Sequence, residues 1–170
     1  YYYGQSFARY ELVSPTGEIV SSYGAGDYFG GKERLVALSQ TGEYRLKVSN
    51  SGDRLADFQF RLVDATAAAT LTVDTPVGAS ISGYESQVFR FQAAGGERLW
   101  VSDPQDSSNG CSIKGQVLDA YGSPLAASGC LSPGFDWKVE TAGVYYIVAS
   151  RFSNNISGTG PQSFQVRLGD

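Results

Sequence analysis

The chain has no histidine and no methionine among its 170 residues. Without histidine, the Ser-His-Asp and Cys-His arrangements of nucleophilic catalysis are excluded, and the commonest metal ligand is missing. No phosphate-binding glycine loop and no Ser-x-x-Lys motif occurs. An enzyme that uses two carboxylates is the remaining catalytic alternative, and such a pair cannot be located in the sequence. The absences therefore predict that the protein is not an enzyme.

Long apolar runs and basic clusters are also missing. The longest apolar runs have about six residues, far fewer than the roughly 20 that a membrane-spanning helix needs. The net charge is −4, and lysine and arginine are dispersed along the chain. Neither nucleic acid nor membrane insertion is therefore expected.

The residues that are abundant favour β structure. Apolar residues make up 42% of the chain, which also contains 21 glycines and 6 prolines. These apolar residues alternate with polar ones, as where Tyr44, Leu46 and Val48 are separated by Arg45 and Lys47. This period of two is typical of strands with one buried and one solvated face. We predict an all-β protein, an antiparallel β-sandwich of short strands.

The sequence also repeats itself at a domain-sized interval. Residues 143–150 and 163–170 resemble residues 42–49 and 57–64. The matching pairs lie 101 to 106 positions apart in the sequence: Gly17 and Gly122, Tyr44 and Tyr145, Phe58 and Phe164. This period predicts a partial repeat over residues 1–64, a connector over residues 65–70 and a complete repeat over residues 71–170.

The first copy lacks counterparts of the strands predicted at residues 87–93 and 98–102. A sandwich without these strands would expose a sheet edge and part of its core. Three explanations remain open. The chain is a fragment of a longer array, a neighbouring chain supplies the strands as in a filament, or the first copy is a reduced sheet that packs on the second.

Several of these motifs together resemble a known family. The motifs are a Phe-x-Phe strand, Ala-Gly-Gly-Glu-Arg-Leu, Val-Leu-Asp-Ala-Tyr-Gly, Thr-Ala-Gly-Val-Tyr-Tyr-Ile-Val and Phe-Gln-Val-Arg-Leu. This set is similar to the bacterial pre-peptidase C-terminal (PPC-like) β-sandwich domains, in full over residues 71–170 and in part over residues 7–64. The resemblance implies a jelly-roll-like sandwich in a secreted or cell-surface protein. It also implies a non-catalytic domain, of a type that accompanies proteases or forms tandem arrays and in some members binds calcium or polymers.

The two cysteines give a separate local prediction. Cys111 and Cys130 are equidistant from the centre of the turn at residues 119–122, so they should face each other across a hairpin. We predict a disulfide between them, with two buried free thiols as the alternative. A disulfide points to an oxidising compartment.

Two further groups of residues are candidate sites. Asp103, Asp106, Asn109 and Asp119 are candidate calcium ligands, although their spacing fits no strict calcium loop, and a solvated turn is the alternative. No cofactor is expected apart from this candidate calcium ion.

The second group consists of Trp100, Tyr146 and Val148. These side chains should point away from the rows that hold Leu99, Tyr145 and Ile147. They form either an exposed binding face or a surface that packs under other parts of the protein.

We therefore expect a structural or adhesive repeat of an extracellular bacterial protein, including the case of a filament subunit completed by strands from a neighbour. The alternative is a carbohydrate- or protein-binding accessory module of a secreted hydrolase. The expected partners are neighbouring copies of the protein or repeat, or an extracellular polymer or protein ligand.

Overall fold

The structure, a computed structural model, describes residues 8–23, 35–50, 61–83, 85–106, 111–152 and 160–170. These ranges contain antiparallel sheets and no α-helix, which confirms the predicted all-β class. No helix in them is long and apolar enough to cross a membrane. The chain divides into two compact units, Tyr1–Lys32 with Val36–Val63, and Glu33–Leu35 with Asp64–Asp170. The predicted repeat boundaries remain a prediction.

The N-terminal unit contains one three-stranded antiparallel sheet of order β2-β1-β3. Its strands are β1 (Ala8–Val13), β2 (Ile19–Tyr23) and β3 (Arg45–Asn50). Leu46 and Val48 are half-buried, whereas Arg45 and Lys47 are exposed. The alternation read from the sequence therefore gives this sheet two different faces.

The C-terminal unit contains two facing sheets. Their strands are β4 (Ala69–Thr70), β5 (Val77–Ile81), β6 (Ser86–Ala93), β7 (Arg98–Ser102), β8 (Ile113–Asp119), β9 (Pro124–Cys130), β10 (Phe135–Lys138), β11 (Gly143–Arg151) and β12 (Gln162–Gly169). The four-stranded sheet has the order β10-β7-β12-β5, and the five-stranded sheet has the order β4-β6-β11-β8-β9. Every neighbouring pair is antiparallel except β4 with β6.

The core of this unit lies between the two sheets. Phe89 of β6 meets Phe164 of β12 edge to face, with ring centroids 6.3 Å apart. Phe91 of β6 meets Trp137 of β10 in the same way at 5.9 Å and stacks on Tyr145 at 5.7 Å. Aromatic pairs in these arrangements stabilise a core beyond the area that they bury. Inward residues from both sheets therefore form one apolar cluster.

The two units build the same hairpin and third strand in the same register. β1 lies between β2 and β3, as β8 lies between β9 and β11. Leu12 is paired with Leu46, and the residues matched to them in the sequence, Val117 and Ile147, are paired with each other.

The turns of these hairpins share their hydrogen bonds as well. Gly17 donates to the carbonyl of Ser14 at 3.0 Å, and Gly122 donates to the carbonyl of Asp119 at 3.1 Å. The side chains of Ser14 and Asp119 each accept the amide four residues later, at 3.1 and 2.8 Å. Both glycines have a positive φ, 90° and 86°, which a side chain would disfavour.

Matching tyrosines brace the third strand in each unit. The Tyr145 hydroxyl donates to the carbonyl of Thr141, and the Tyr44 hydroxyl accepts the amide of Gln40 at 3.0 Å. Each bond spans four residues and ties the start of the strand to the preceding turn, as in the tyrosine corner of other β-sandwiches.

The units differ at one sheet edge. β11 pairs with β8 on one side and with β6 on the other, over eight residue pairs from Gly143 to Ser150. β3 pairs with β1, and no strand in the described ranges lies along its other edge. Ile147 is fully buried, while Leu46 at the matching place is half-buried.

Some local expectations were incomplete or wrong. The connector at 65–70 contains a 3₁₀ turn at Ala65–Ala67, and its last two residues form β4. Hydrogen bonds from the Thr66 side chain and backbone lower the pKa of exposed Asp64, which caps this turn. The sequence predicts a strand over residues 33–38, but residues 35–38 have no regular structure. The sequence did not predict β5, because this strand contains only small residues between the apolar residues at its two ends.

The difference between Ile147 and Leu46 can be tested by matched truncations. Ile147→Ala leaves a cavity in a closed core and should lower the free energy of unfolding by about 2–5 kcal/mol. Leu46→Ala removes a half-buried side chain and should cost less than about 2 kcal/mol. Urea unfolding followed by circular dichroism measures both variants. Equal losses would contradict the difference in burial.

Candidate functional site

An exposed tryptophan on the outer face of the four-stranded sheet is the centre of the candidate site. Residues of β7 alternate between exposed and buried positions, so Leu99 and Val101 enter the core. Trp100 between them faces outward and keeps 42% of its surface exposed. Among the described residues, five large hydrophobic side chains are more exposed than Trp100, and one of them is Tyr121 in the β8–β9 turn. Trp100 therefore presents apolar surface to solvent from the middle of a strand.

Two arginine–aspartate pairs flank this indole. On one side, Arg98 donates through Nε to Asp136 Oδ2 at 2.6 Å, and Asp136 lies directly opposite Trp100 in the β10–β7 ladder. On the other side, the Arg167 guanidinium donates to Asp74 Oδ1 at 2.6 Å. Exposed pairs of this kind contribute little to stability, so their main effect is to hold four polar side chains in place.

The backbone around Trp100 leaves space for the ring. A Cβ at Gly134 would lie 2.7 Å from the indole Nε1, so the ring packs directly on this glycine. Gly169 is opposite Trp100 in the β12–β7 ladder and places no side chain beside it. Asp74 adopts a positive φ of 61°, uncommon for a residue with a side chain, and its amide donates to Leu168 at 2.7 Å.

The predicted face of Trp100, Tyr146 and Val148 is not assembled by the fold. Trp100 belongs to the four-stranded sheet, whereas Tyr146 and Val148 belong to the five-stranded sheet. Their outward directions are therefore opposite. Val148 is 5% exposed, and Tyr146 is half-buried. The alternation identified the outward positions, but it does not reveal which strands share a sheet.

The predicted disulfide is present. Cys111 and Cys130 are bonded, with their Cα atoms 5.2 Å apart. The predicted register of the hairpin was wrong, because Cys130 lies opposite Lys114 in the ladder and not opposite Cys111. An irregularity between Gln116 and Leu118 shifts the hairpin, so Cys111 reaches its partner from just before β8.

The four predicted calcium ligands do not lie together. Asp103 is buried, and its amide donates to the carbonyl of Leu131, beside the start of β8. Asp119 is the last residue of β8, so it lies about 20 Å from the start of this strand at roughly 3.3 Å per residue. Its carboxylate accepts two amides of the hairpin turn. Asp119 therefore cannot share an ion with Asp103.

Asp103 instead has a structural role that the sequence did not reveal. Its Oδ1 accepts the amides of Gln105 at 3.0 Å and Gln165 at 3.2 Å, which ties the β7 end to β12. The Asp106 carbonyl accepts the Ser132 hydroxyl at 2.9 Å, and Asn109 lies outside the described residues. No group of three metal-ligating His, Cys, Asp or Glu side chains occurs in the described part of the chain. Calcium at Asp103, Asp106 and Asn109 remains a prediction.

Four residues of the site were missed in the sequence. Arg98 precedes Trp100 by two positions and so shares its face, a signal that was available. Asp136, Arg167 and Asp74 come from other strands or loops, and their approach to Trp100 depends on sheet order.

The comparisons with known proteins concern the fold alone. No protein-family model and no curated protein matches the sequence. The chain is similar in structure to PliG of Salmonella Typhimurium, a periplasmic inhibitor of g-type lysozyme, with 15% identity, a TM-score of 0.46, and 60% of this chain and 96% of that one covered. PliG of Aeromonas hydrophila has 16% identity and a TM-score of 0.45, with 59% of this chain and 96% of that one covered. The pre-peptidase C-terminal domain of a Bacillus anthracis collagenase has 16% identity and a TM-score of 0.40, with 65% of this chain and 99% of that one covered. At these values the similarity assigns neither a family nor a function to this chain.

Loss of the disulfide should destabilise the C-terminal unit. The bond closes a loop with a sequence separation of 19, and such a loop is worth about 3 kcal/mol through the entropy of the unfolded chain. The double variant Cys111→Ser/Cys130→Ser should lose this amount in urea unfolding. Reductant should destabilise the wild type by a similar amount and leave the variant unchanged. A reductant effect on the variant would contradict the assignment.

Asp103 can be tested by one substitution that removes its acceptor oxygens and one that keeps an acceptor oxygen. Asp103→Ala leaves two amides without their acceptor and should cost about 1–3 kcal/mol of unfolding free energy. Asp103→Asn retains an oxygen and should cost clearly less. Thermal unfolding with and without calcium measures both effects. A wild-type melting temperature that is unchanged by calcium would argue against the ion site and leave the hydrogen-bonding role intact.

Proposed function

We propose that the protein is a non-enzymatic structural or adhesive β-sandwich repeat of an extracellular bacterial protein, PPC-like in its sequence motifs. The observation that supports this most is the hairpin and third strand that both units share. Register and turn hydrogen bonds agree between them, and in each unit a tyrosine hydroxyl bonds the backbone four residues earlier, as expected of two copies of one module. Tandem copies of one module are typical of long extracellular proteins.

We further propose that the first copy is completed by an added strand. In the C-terminal unit, β6 covers the edge of β11 and helps bury Ile147. The same edge of β3 has no partner strand in the described ranges, and Leu46 is half-buried. An exposed edge with an apolar face is a template for strand addition. A strand from a neighbouring copy would build a filament, and a strand from preceding residues would build one link of a longer surface chain.

The disulfide supports a secreted or cell-surface location. Such bonds persist in oxidising compartments and are rare in the cytosol. The bond closes the β8–β9 hairpin, where it stabilises the unit without any ligand. This suits a module that must remain folded outside the cell.

An accessory module of a secreted hydrolase is the second candidate. The exposed Trp100 with its two ion pairs favours it, since aromatic side chains are enriched in binding surfaces. The discovery of a catalytic domain in the same gene would favour this role. Further copies of the repeat would favour the structural one.

Strand addition predicts a matched difference between the two faces of β3. Leu46→Ser removes an apolar contact for the incoming strand, whereas Lys47→Ser changes the exposed face. In electron micrographs and light scattering, the wild type and Lys47→Ser should form fibres, and Leu46→Ser should form fewer or none. Hydrogen exchange should show β3 amides slowing on assembly, because new ladder bonds protect them.

Two results decide the source of the strand. A soluble monomer with rapidly exchanging β3 amides would reject the filament and assign the strand to a longer chain. A monomer whose β3 amides are already as protected as those of β11 would contradict strand addition at this edge.

A further inference from the structure

We propose that the outer face of the four-stranded sheet binds a neutral polysaccharide, with one sugar ring stacked on Trp100. This inference does not depend on strand addition at β3, because it rests on residues of the C-terminal unit alone. It requires a flat apolar platform, fixed polar groups at its sides and access for an extended chain. The face provides each of these.

The platform is the indole itself. Trp100 is 42% exposed, and its ring packs on the backbone of Gly134, which fixes the ring while leaving surface in contact with solvent. Sugar rings carry patches of C–H groups that pack on aromatic rings and release water from both surfaces. Because tryptophan has only two side-chain torsions and this one is already held, little conformational entropy would be lost on binding.

The polar groups stand on both sides of the ring. Asp136 with Arg98 lies toward β10, and Asp74 with Arg167 lies toward β12. Strands are spaced about 4.8 Å apart, so β10 and β12 are about 10 Å apart across β7. This spacing leaves room for a sugar ring over the indole with its hydroxyls toward the charged groups. Each pair has unused capacity, since arginine carries five donors and a carboxylate can accept about four hydrogen bonds.

The charged groups of this face nearly cancel, so they offer a polyanion little net attraction. The two arginines and two aspartates cancel, and Lys138, opposite Arg98 in the ladder, adds a single positive charge. A polyanion would meet two carboxylates beside the platform, whereas sugar hydroxyls can both donate to the carboxylates and accept from the guanidinium groups. Gly169 beside Trp100 removes an obstacle along the face, as an extended polymer requires.

The experiment is affinity electrophoresis of the full chain through gels that contain soluble polysaccharides. The neutral gels contain hydroxyethylcellulose, xylan, mixed-linkage β-glucan, galactomannan or starch, and one acidic gel contains polygalacturonate. The wild type should be retarded in at least one neutral gel. Trp100→Ala should weaken that retardation by about tenfold or more, as truncation of a central aromatic anchor does.

Tyr121→Ala is the matched control. Tyr121 is 79% exposed but lies in the β8–β9 turn, so its loss should leave retardation unchanged. Asp136→Asn keeps the shape of the side chain and should weaken binding without affecting folding. It therefore keeps the proposal testable if Trp100→Ala fails to fold. Fluorescence gives a second readout, because the other tryptophan, Trp137, is buried in the core and a bound sugar should change only the Trp100 emission.

Three results would overturn the proposal. The first is no retardation in any neutral gel. The second is retardation that Trp100→Ala and Asp136→Asn leave unchanged. The third is stronger retardation in the acidic gel than in any neutral gel, which would assign the face to a polyanion.

Discussion

The C-terminal unit depends on the pairing of β11 along both of its edges. β6 and β8 satisfy its backbone groups on either side, and the residues that alternate inward, Tyr145, Ile147 and Ala149, are buried. Since unpaired buried amides are costly, the apolar face can be closed only where both ladders are present. The Tyr145 hydroxyl also donates to the carbonyl of Thr141, which ties the start of this strand to the preceding turn.

The same constraint explains why the N-terminal unit looks different although its sequence pattern is similar. β3 alternates as β11 does, and Tyr44 braces its start. Its apolar row is nonetheless half-buried, and the described residues of that unit form one sheet, whereas Ile147 packs against a facing sheet as well as against flanking strands. Composition and alternation determine which face of a strand is apolar. The strands around it determine whether that face becomes a core.

Strand positions could be read from the sequence far better than the relations between strands. The alternation around Leu46 and Ile147 located β3 and β11, and the glycine turns located both hairpins. Sheet membership could not be read, because a period of two gives direction in or out but no partner. This is why Trp100 was grouped with Val148, which lies in the other sheet. Likewise, an irregularity in the β8–β9 ladder altered the register near Cys130 although the disulfide itself was predicted.

The outer faces of the two sheets differ in a way that bears on function. On the five-stranded sheet, Leu118 and Val148 face away from the core cluster and are still only 2% and 5% exposed. The outer face of the four-stranded sheet instead holds two charged pairs and one solvent-facing indole. A buried apolar face has already used its hydrophobic free energy in folding, whereas an exposed indole retains it for binding. Of these two faces, the one around Trp100 is therefore where a soluble ligand can gain affinity, and it lies on the sheet that β11 does not belong to.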